Sequence, residues 1–342
     1  MARTATARRP RGRRANAAPP RPQPAGAAGR AQAHRAPQPV PWIKRGLAAL
    51  GVALALVTAV AIARSRMGAG SPAAESPASV PLSVLRTADF HALAFSPENS
   101  DTVFFGHHNG VMRSADGGTT WGAVADRRGF DAMGMAVSRA NPNQIFIAGH
   151  DVFQVSADGG TTWQPVQHNL PGTDIHGLAM SPDDPNRLYA FVNGMGTFAS
   201  ADAGQAWRRL GQTPADVMGL TAAGGSPETV FVASMGAGIL RSADGGDTWQ
   251  PAAGGSPRRA LALAADPSNR QTLYAGTEDG LYKTTDGGAS WTRLPFPARN
   301  AVAIAVSPSQ PGRVLAISQN TQARTGEVFR SDDGGQSWGA RR

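Results

Sequence analysis

The chain has 342 residues, a formal net charge of +9 and no cysteine, which excludes a disulfide framework and a lipoprotein anchor. The basicity is local: residues 1–66 hold 13 of the 33 Lys and Arg and none of the 24 Asp and Glu, which leaves 20 basic against 24 acidic residues, a net of −4, in residues 67–342. A uniformly basic nucleic-acid-binding domain is therefore excluded.

Residues 1–45 are rich in Arg, Ala and Pro and poor in apolar bulk. Such a segment cannot bury enough surface to offset its ordering entropy, so a disordered basic tail is expected. No aromatic residue is interleaved in its first 41 residues for base stacking, which argues against a nucleic-acid partner. Residues 46–63, "GLAALGVALALVTAVAIA", carry no charge. As a helix at ~1.5 Å per residue they would span about 27 Å, near the roughly 30 Å of a bilayer's hydrocarbon core. Eleven Lys and Arg precede the run, and only Arg64 and Arg66 follow closely. The positive-inside rule then predicts a single-pass signal anchor in the cell membrane, with a cytoplasmic N-terminus and everything downstream periplasmic or extracellular. "AIA" at 61–63 also fits a signal-peptide cleavage site; the run's length favours an uncleaved anchor. Residues 64–80 read as a flexible linker.

Residues 81–342 are built on an octet that recurs six times, as in "SADGGTTW", ending at Trp121, Trp163, Trp207, Trp249, Trp291 and Trp338. The spacings are 42, 44, 42, 42 and 47, and six of the seven Trp occupy this one position. Each unit contains four short strand-like runs: in the first, "HALAFSP", "TVFFG", "GVMRS" into the octet, and the residues after "TTW". That grammar predicts an all-β, six-bladed propeller of four-stranded antiparallel blades. Ala and Gly in the first strands suit the crowded axis. Residues 81–87, "PLSVLRT", are expected to pair with the last blade and close the ring, because "SWGARR" makes a short final strand.

The octet reads as a hairpin between strands three and four. Asp116 accepts backbone N–H bonds across the turn, Gly117 and Gly118 permit positive φ, and Trp121 packs on the sheet. Asp158, Asp202, Asp244, Asp286 and Asp333 take the same role. The third box has Ala203 and Ala206 in place of a Gly and a Thr, so a looser hairpin is expected there. The alternation and distal Glu of a calcium loop are missing.

In such blades the 1-2 and 3-4 turns share one face, so functional residues are expected on the other. The 2-3 loops bring His107, His108, His150, Met195, Met235, Glu278 and Asp279 to that face. The segments leading into the innermost strands align as Asp89, Asp131, Asp174, Asp216, Arg259 and Asn300. Two residues on, a second column reads His91, Met133, His176, Met218, Leu261 and Val302. Imidazole and thioether backed by carboxylates suit copper, with His91, His107, His150, His176 and Met218 as candidate ligands. A channel packed by His and Met, with His bonded to Asp, is the structural alternative. A ligand- or protein-binding surface would use the same His and Met together with Arg259.

The octet resembles the Asp-box, or BNR repeat, S-x-D-x-G-x-T-W, of sialidases, other glycoside hydrolases, sortilin-type receptors and propellers like the photosystem II assembly factor. "DIHGLAMSPDDPNRLYAF", "FDAMGM" and "IAGHD" further resemble bacterial anchored propellers labelled glycosyl hydrolase-like. The resemblance implies the propeller fold and leaves chemistry open, because hydrolases, receptors and assembly factors share the box. A sialidase would need an Arg triad and a Tyr nucleophile, yet Tyr189, Tyr274 and Tyr282 all fall on second or third strands, and only Arg259 is in the inner ring. Another glycosidase could draw a carboxylate pair from Asp89, Asp131, Asp174 and Asp216. At a repeated position, however, such Asp residues are expected to hydrogen-bond the connections. The sequence therefore favours a membrane-anchored binding or assembly scaffold with a protein or glycan partner, and a glycoside hydrolase or copper-binding protein as alternatives.

Overall fold

The computed structural model describes residues 79–339, apart from 88, 127–128 and 254–255. The basic tail, the apolar run 46–63 and nearly all of the linker lie outside the described residues. Among the described residues, no helix is long and apolar enough to cross a membrane.

The described residues form six four-stranded antiparallel sheets. Blade 1 comprises β2 (Ala92–Phe95), β3 (Val103–His107), β4 (Gly110–Ser114) and β5 (Gly122–Asp126). Blade 2 comprises β6 (Gly134–Val137), β7 (Ile145–Gly149), β8 (Val152–Ser156) and β9 (Gln164–Pro165). Blade 3 runs through β10 (Ile175–Met180), β11 (Leu188–Val192), β12 (Gly196–Ser200) and β13 (Trp207–Arg209). Blade 4 has β14 (Val217–Ala222), β15 (Val230–Ser234), β16 (Gly238–Ser242) and β17 (Gln250–Pro251). Blade 5 has β18 (Ala260–Asp266), β19 (Asn269–Thr277), β20 (Gly280–Thr284) and β21 (Thr292–Arg293).

Blade 6 has only three strands of its own, β22 (Ala301–Val306), β23 (Val314–Asn320) and β24 (Thr325–Ser331). Its outer strand is β1 (Ser83–Leu85), paired in the register Ser83 with Val328, Val84 with Glu327 and Leu85 with Gly326. The ring is thus closed by the segment the sequence singled out, which covers an edge that would otherwise expose unpaired backbone groups. Ser83 also accepts from Trp121 Nε1 at 3.2 Å and donates to the Gly118 carbonyl at 2.6 Å, joining the closing strand to the first box.

Apolar side chains gather in six clusters, each lying between consecutive blades. Phe104 and Val111 of blade 1 meet Ile145 and Ile147 of blade 2, and Leu315 and Val328 of blade 6 meet Leu93 and Phe105 of blade 1. At particular inner-strand positions the neighbouring blade leaves no room for a side chain. A Cβ on Gly134 would come within 2.7 Å of Leu178, and one on Gly219 within 3.0 Å of the Leu263 backbone, which explains the small residues of the inner strands.

Each octet is a hydrogen-bonded turn. In the first, Asp116 Oδ1 accepts from the N–H groups of Thr119 and Thr120 at 3.0 and 2.9 Å, and its Oδ2 accepts from the Thr120 hydroxyl at 2.6 Å. Ser114 Oγ accepts from Gly118 N–H at 2.8 Å, and Trp121 Nε1 donates to the Gly118 carbonyl at 3.0 Å. The carboxylate is filled by its own turn. The third box closes like the others: Asp202 accepts from Ala206 N–H at 2.9 Å and Trp207 Nε1 donates to Gly204 at 2.7 Å. Ala203 reaches this turn at φ +61°, where the other boxes have glycine, and only the hydroxyl bond is missing. In every blade an N–H of the box bonds a carbonyl of the 1-2 turn, as Gly117 does Asp101 and Gly287 does Gln271. Boxes and 1-2 turns therefore share one face.

Candidate functional site

The opposite face is built on one repeated relationship. The residue leading into each inner strand holds the 2-3 turn of its own blade, about 19 positions on. Asp89 Oδ1 accepts from His108 N–H at 2.8 Å, and Asp131 Oδ2 from His150 N–H at 3.0 Å. Asp174 Oδ2 accepts from Asn193 Nδ2 at 2.8 Å, and Asp216 accepts from Ser234 Oγ and Gly236 N–H at 2.6 Å each. In blade 5 the link becomes an ion pair, Arg259 with Glu278, one of whose contacts is 2.5 Å. In blade 6 the Asn300 carbonyl accepts from Gln319 N–H. The four Asp named as glycosidase candidates are thus committed to turn architecture.

The second column has a local cause of its own. The pairing of inner strands skips a residue between Ile175 and Gly177, Val217 and Gly219, Ala260 and Ala262, and Ala301 and Ala303. His176, Met218, Leu261 and Val302 are the bulged residues, and a bulge re-aims its side chain. With His91 and Met133, which precede β2 and β6, they line one end of the axial channel. Met218 is 48 % exposed and Met195 39 %; Met195 and Arg209 line a separate pocket further out. Met235 is half-buried in the 2-3 turn of blade 4.

Over blades 1 to 3, four imidazoles alternate with three carboxylates. His91 Nε2 lies 3.2 Å from His108 Nε2 and 3.4 Å from Asp89 Oδ1, and His108 Nδ1 contacts Asp89 Oδ2. His108 Nε2 stands 3.9 Å from Asp131 Oδ2, which meets His150 Nδ1 at 2.5 Å. His150 Nε2 is 3.3 Å from Asp174 Oδ1, and His176 Nε2 is 2.8 Å from that same oxygen. The rings also touch in sequence, with centroids 4.5, 5.6 and 5.3 Å apart from His91 to His176. The arc therefore stitches three blades together.

Burial dominates the His91 imidazole and pushes it down to about 4, the Asp89 charge opposing this only in part. His91 is neutral at physiological pH. Burial alone would raise Asp174, but the Asn193 hydrogen bond and the His176 and His150 charges hold it below the usual carboxylate range. Asp216 is also held low, first by the Ser234 hydroxyl. The blade 5 side carries two ion pairs, Arg259 with Glu278 and Arg299 with Asp279, the latter at 2.6 Å.

Three groups of side chains have the spacing to hold a metal among the described residues: Asp89, His91 and His108; His108, Asp131 and His150; His150, Asp174 and His176. His107, a candidate ligand from sequence, belongs to none of them. It ends β3 and stacks on Phe105 at 5.7 Å, and its neighbour His108 takes the place in the arc. Tyr189 and Tyr274 are buried beside other turns, bonded to Glu228 and to the Gly334 carbonyl.

A family model described as Photosynthesis system II assembly factor YCF48 matches residues 78–278, and one described as Sortilin, neurotensin receptor 3, matches residues 237–341. No curated protein matches the sequence. Among solved structures, the GH74 xyloglucanase of Xanthomonas campestris is 20% identical with a TM-score of 0.54, covering 75% of this chain and 46% of its own. A GH74 enzyme of Niastella koreensis is 20% identical with a TM-score of 0.52, covering 73% and 46%. A YCF48 bound to D1 peptide is 18% identical with a TM-score of 0.48, covering 78% and 85%. This chain spans less than half of those GH74 chains, and the likeness to them is one of fold.

Proposed function

The chain belongs to the family of the photosynthesis system II assembly factor YCF48, whose model matches more than half of its residues, and from that premise we propose that it is a docking scaffold for a protein partner. The observation that carries this reading is the placement of Met195 and Met218. They are two of the four exposed large hydrophobic side chains among the described residues, and both lie on the face opposite the boxes. Exposed methionines rimmed by charge suit a surface that adapts to another protein. The partner places an apolar side chain against Met218 at the mouth of the axial channel and charged groups against the His/Asp arc and the Arg259–Glu278 pair.

In this reading the charge-free run 46–63 anchors the chain, and the arginine bias ahead of it holds the propeller outside the cytoplasm. The glycosidase alternative is weaker, because the repeated Asp residues already hold the 2-3 turns. The test is co-purification from native membranes. A partner retained by the wild type and by Thr161→Asp on the box face, but lost by Met218→Asp, supports the proposal. Equal retention by all three contradicts it.

A further inference from the structure

The two ends of the His/Asp arc differ in how their polar atoms are used. At blade 1 the His91 and His108 Nε2 atoms meet at 3.2 Å, His108 Nδ1 meets Asp89, and Asp89 Oδ1 carries the His108 N–H. At blade 3, Asp174 Oδ1 and His176 Nε2 are closed to solvent and have no hydrogen-bond partner. They lie 2.8 Å apart as an ion pair with each other. With His150 Nε2 3.3 Å from the same carboxylate oxygen, three ligand-type atoms converge on one point.

We propose that His150, Asp174 and His176 bind a divalent transition-metal ion through Nε2, Oδ1 and Nε2. Bonds of roughly 2.0–2.2 Å to a tetrahedral ion put its ligand atoms about 3.3–3.6 Å apart; the His150–Asp174 spacing of 3.3 Å fits that, and the His176–Asp174 contact of 2.8 Å would open by roughly half an ångström on binding. The other atom of two ligands is already held. Asp131 Oδ2 takes His150 Nδ1 at 2.5 Å, which directs Nε2 to the ion, and Asn193 Nδ2 occupies Asp174 Oδ2 at 2.8 Å, which leaves Oδ1. Carboxylate–imidazole pairs of this kind orient ligands and strengthen them as bases.

Two imidazoles and one carboxylate select zinc, copper or ferrous iron over magnesium and calcium, which take all-oxygen sites. His150 is half exposed, so the remaining coordination positions open to solvent or to a partner's side chain. This set differs from the copper ring expected from sequence, since His91 is engaged with His108 and His107 faces elsewhere. It goes beyond the docking role, which does not require a metal.

The test is titration of the untagged, chelator-stripped full chain with Zn²⁺ and, separately, Cu²⁺, followed by calorimetry. One equivalent is expected to bind. His150→Ala and Asp174→Asn should each weaken binding at least tenfold, Asp131→Asn roughly 10–100-fold, and His91→Gln should leave it unchanged. His150 lies in an exposed turn, so its alanine variant separates loss of the ion from loss of the fold, and circular dichroism confirms that it is folded. No stoichiometric binding by the wild type, or full binding by a folded His150→Ala, overturns the assignment. Binding lost in His91→Gln and kept in His150→Ala also overturns it, by moving the ion to blade 1.

Discussion

Asp131 reaches His150 twice, its Oδ2 accepting from the backbone N–H at 3.0 Å and meeting the ring Nδ1 at 2.5 Å. One buried carboxylate thereby fixes both the 2-3 turn of blade 2 and the ring orientation at the centre of the arc. Asp89 holds the turn and ring of His108 in the same way. The candidate face is therefore shaped by the contacts that hold its loops.

Replacing Asp131 with alanine should destabilise the propeller, because the side chain is 4 % exposed and its bond to the His150 backbone is charge-assisted. Loss of such a bond costs about 1.5–3 kcal/mol. Asp216→Ala, at an exposed position, should cost less. Urea unfolding of both variants checks the order, and an Asp131→Ala chain as stable as wild type would refute it.

Acid should unfold the chain in two windows. His91 titrates near 6.5 when unfolded and is lowered to about 4 by burial. The unfolded state then binds the extra proton, and stability falls as pH drops from about 6.5 to 4. Asp116, Asp158, Asp286 and Asp333 are held down to about 2 from an ordinary 3.8. For Asp158 and Asp286 the largest cause is the hydroxyl of Thr162 or Ser290; for Asp116 and Asp333 burial opposes the shift and turn hydrogen bonds outweigh it. Their contribution is complete above about pH 4 and is lost toward pH 2. Melting temperatures against pH should show both slopes, with His91→Gln weakening only the upper one, to which His168, also lowered by burial, adds a part. A flat profile between pH 4 and 2 would contradict the role of the boxes.

The third box offers a stabilising change. Ala203 sits at φ +61°, a left-handed conformation that costs an L-residue roughly 1–2 kcal/mol, while glycine accepts it at an entropic cost of about 0.5–1 kcal/mol. Ala203→Gly should raise stability by up to about 1 kcal/mol, and Ala206→Thr should restore the missing hydroxyl bond to Asp202. Chemical denaturation measures both; a destabilised Ala203→Gly would show that the turn is not strained.

Ring closure should depend on β1. Leu85 is 4 % exposed and packs with Val328 and Phe105, so Leu85→Ala should cost about 2–4 kcal/mol. Deleting residues 81–87 should cost more and expose the β24 edge. A thermal melt and a sizing column test this, and unchanged stability in the deletion would remove β1 from the account.

The blades were legible because the turns reuse the same residues: Asp to fill the N–H groups, glycine for positive φ, and a Trp that in four of the six boxes donates back to the turn. Closure was legible in "PLSVLRT", a strand-like run ahead of the first repeat, whose β1 pairs with β24. The Asp and His columns followed from aligning the boxes. What alignment could not decide was which of the adjacent His107 and His108 enters the arc, since consecutive residues on a strand face opposite ways. The bulges at His176 and Met218 were also hidden, because a skipped pairing leaves no mark in the sequence spacing. Likewise, the convergence of His150 and His176 on one Asp174 oxygen appears only in three dimensions.

A protein partner is proposed to dock on the face carrying Met195, Met218 and the arc. The most direct measurement places a photo-crosslinking amino acid at Met195 or Met218 on one face, and at Thr119 or Thr161 on the box face, in cells producing the full chain. One discrete adduct is expected, the same protein from Met195 and Met218, and none from Thr119 or Thr161. That adduct forming from the box face, with none from the methionines, would contradict it.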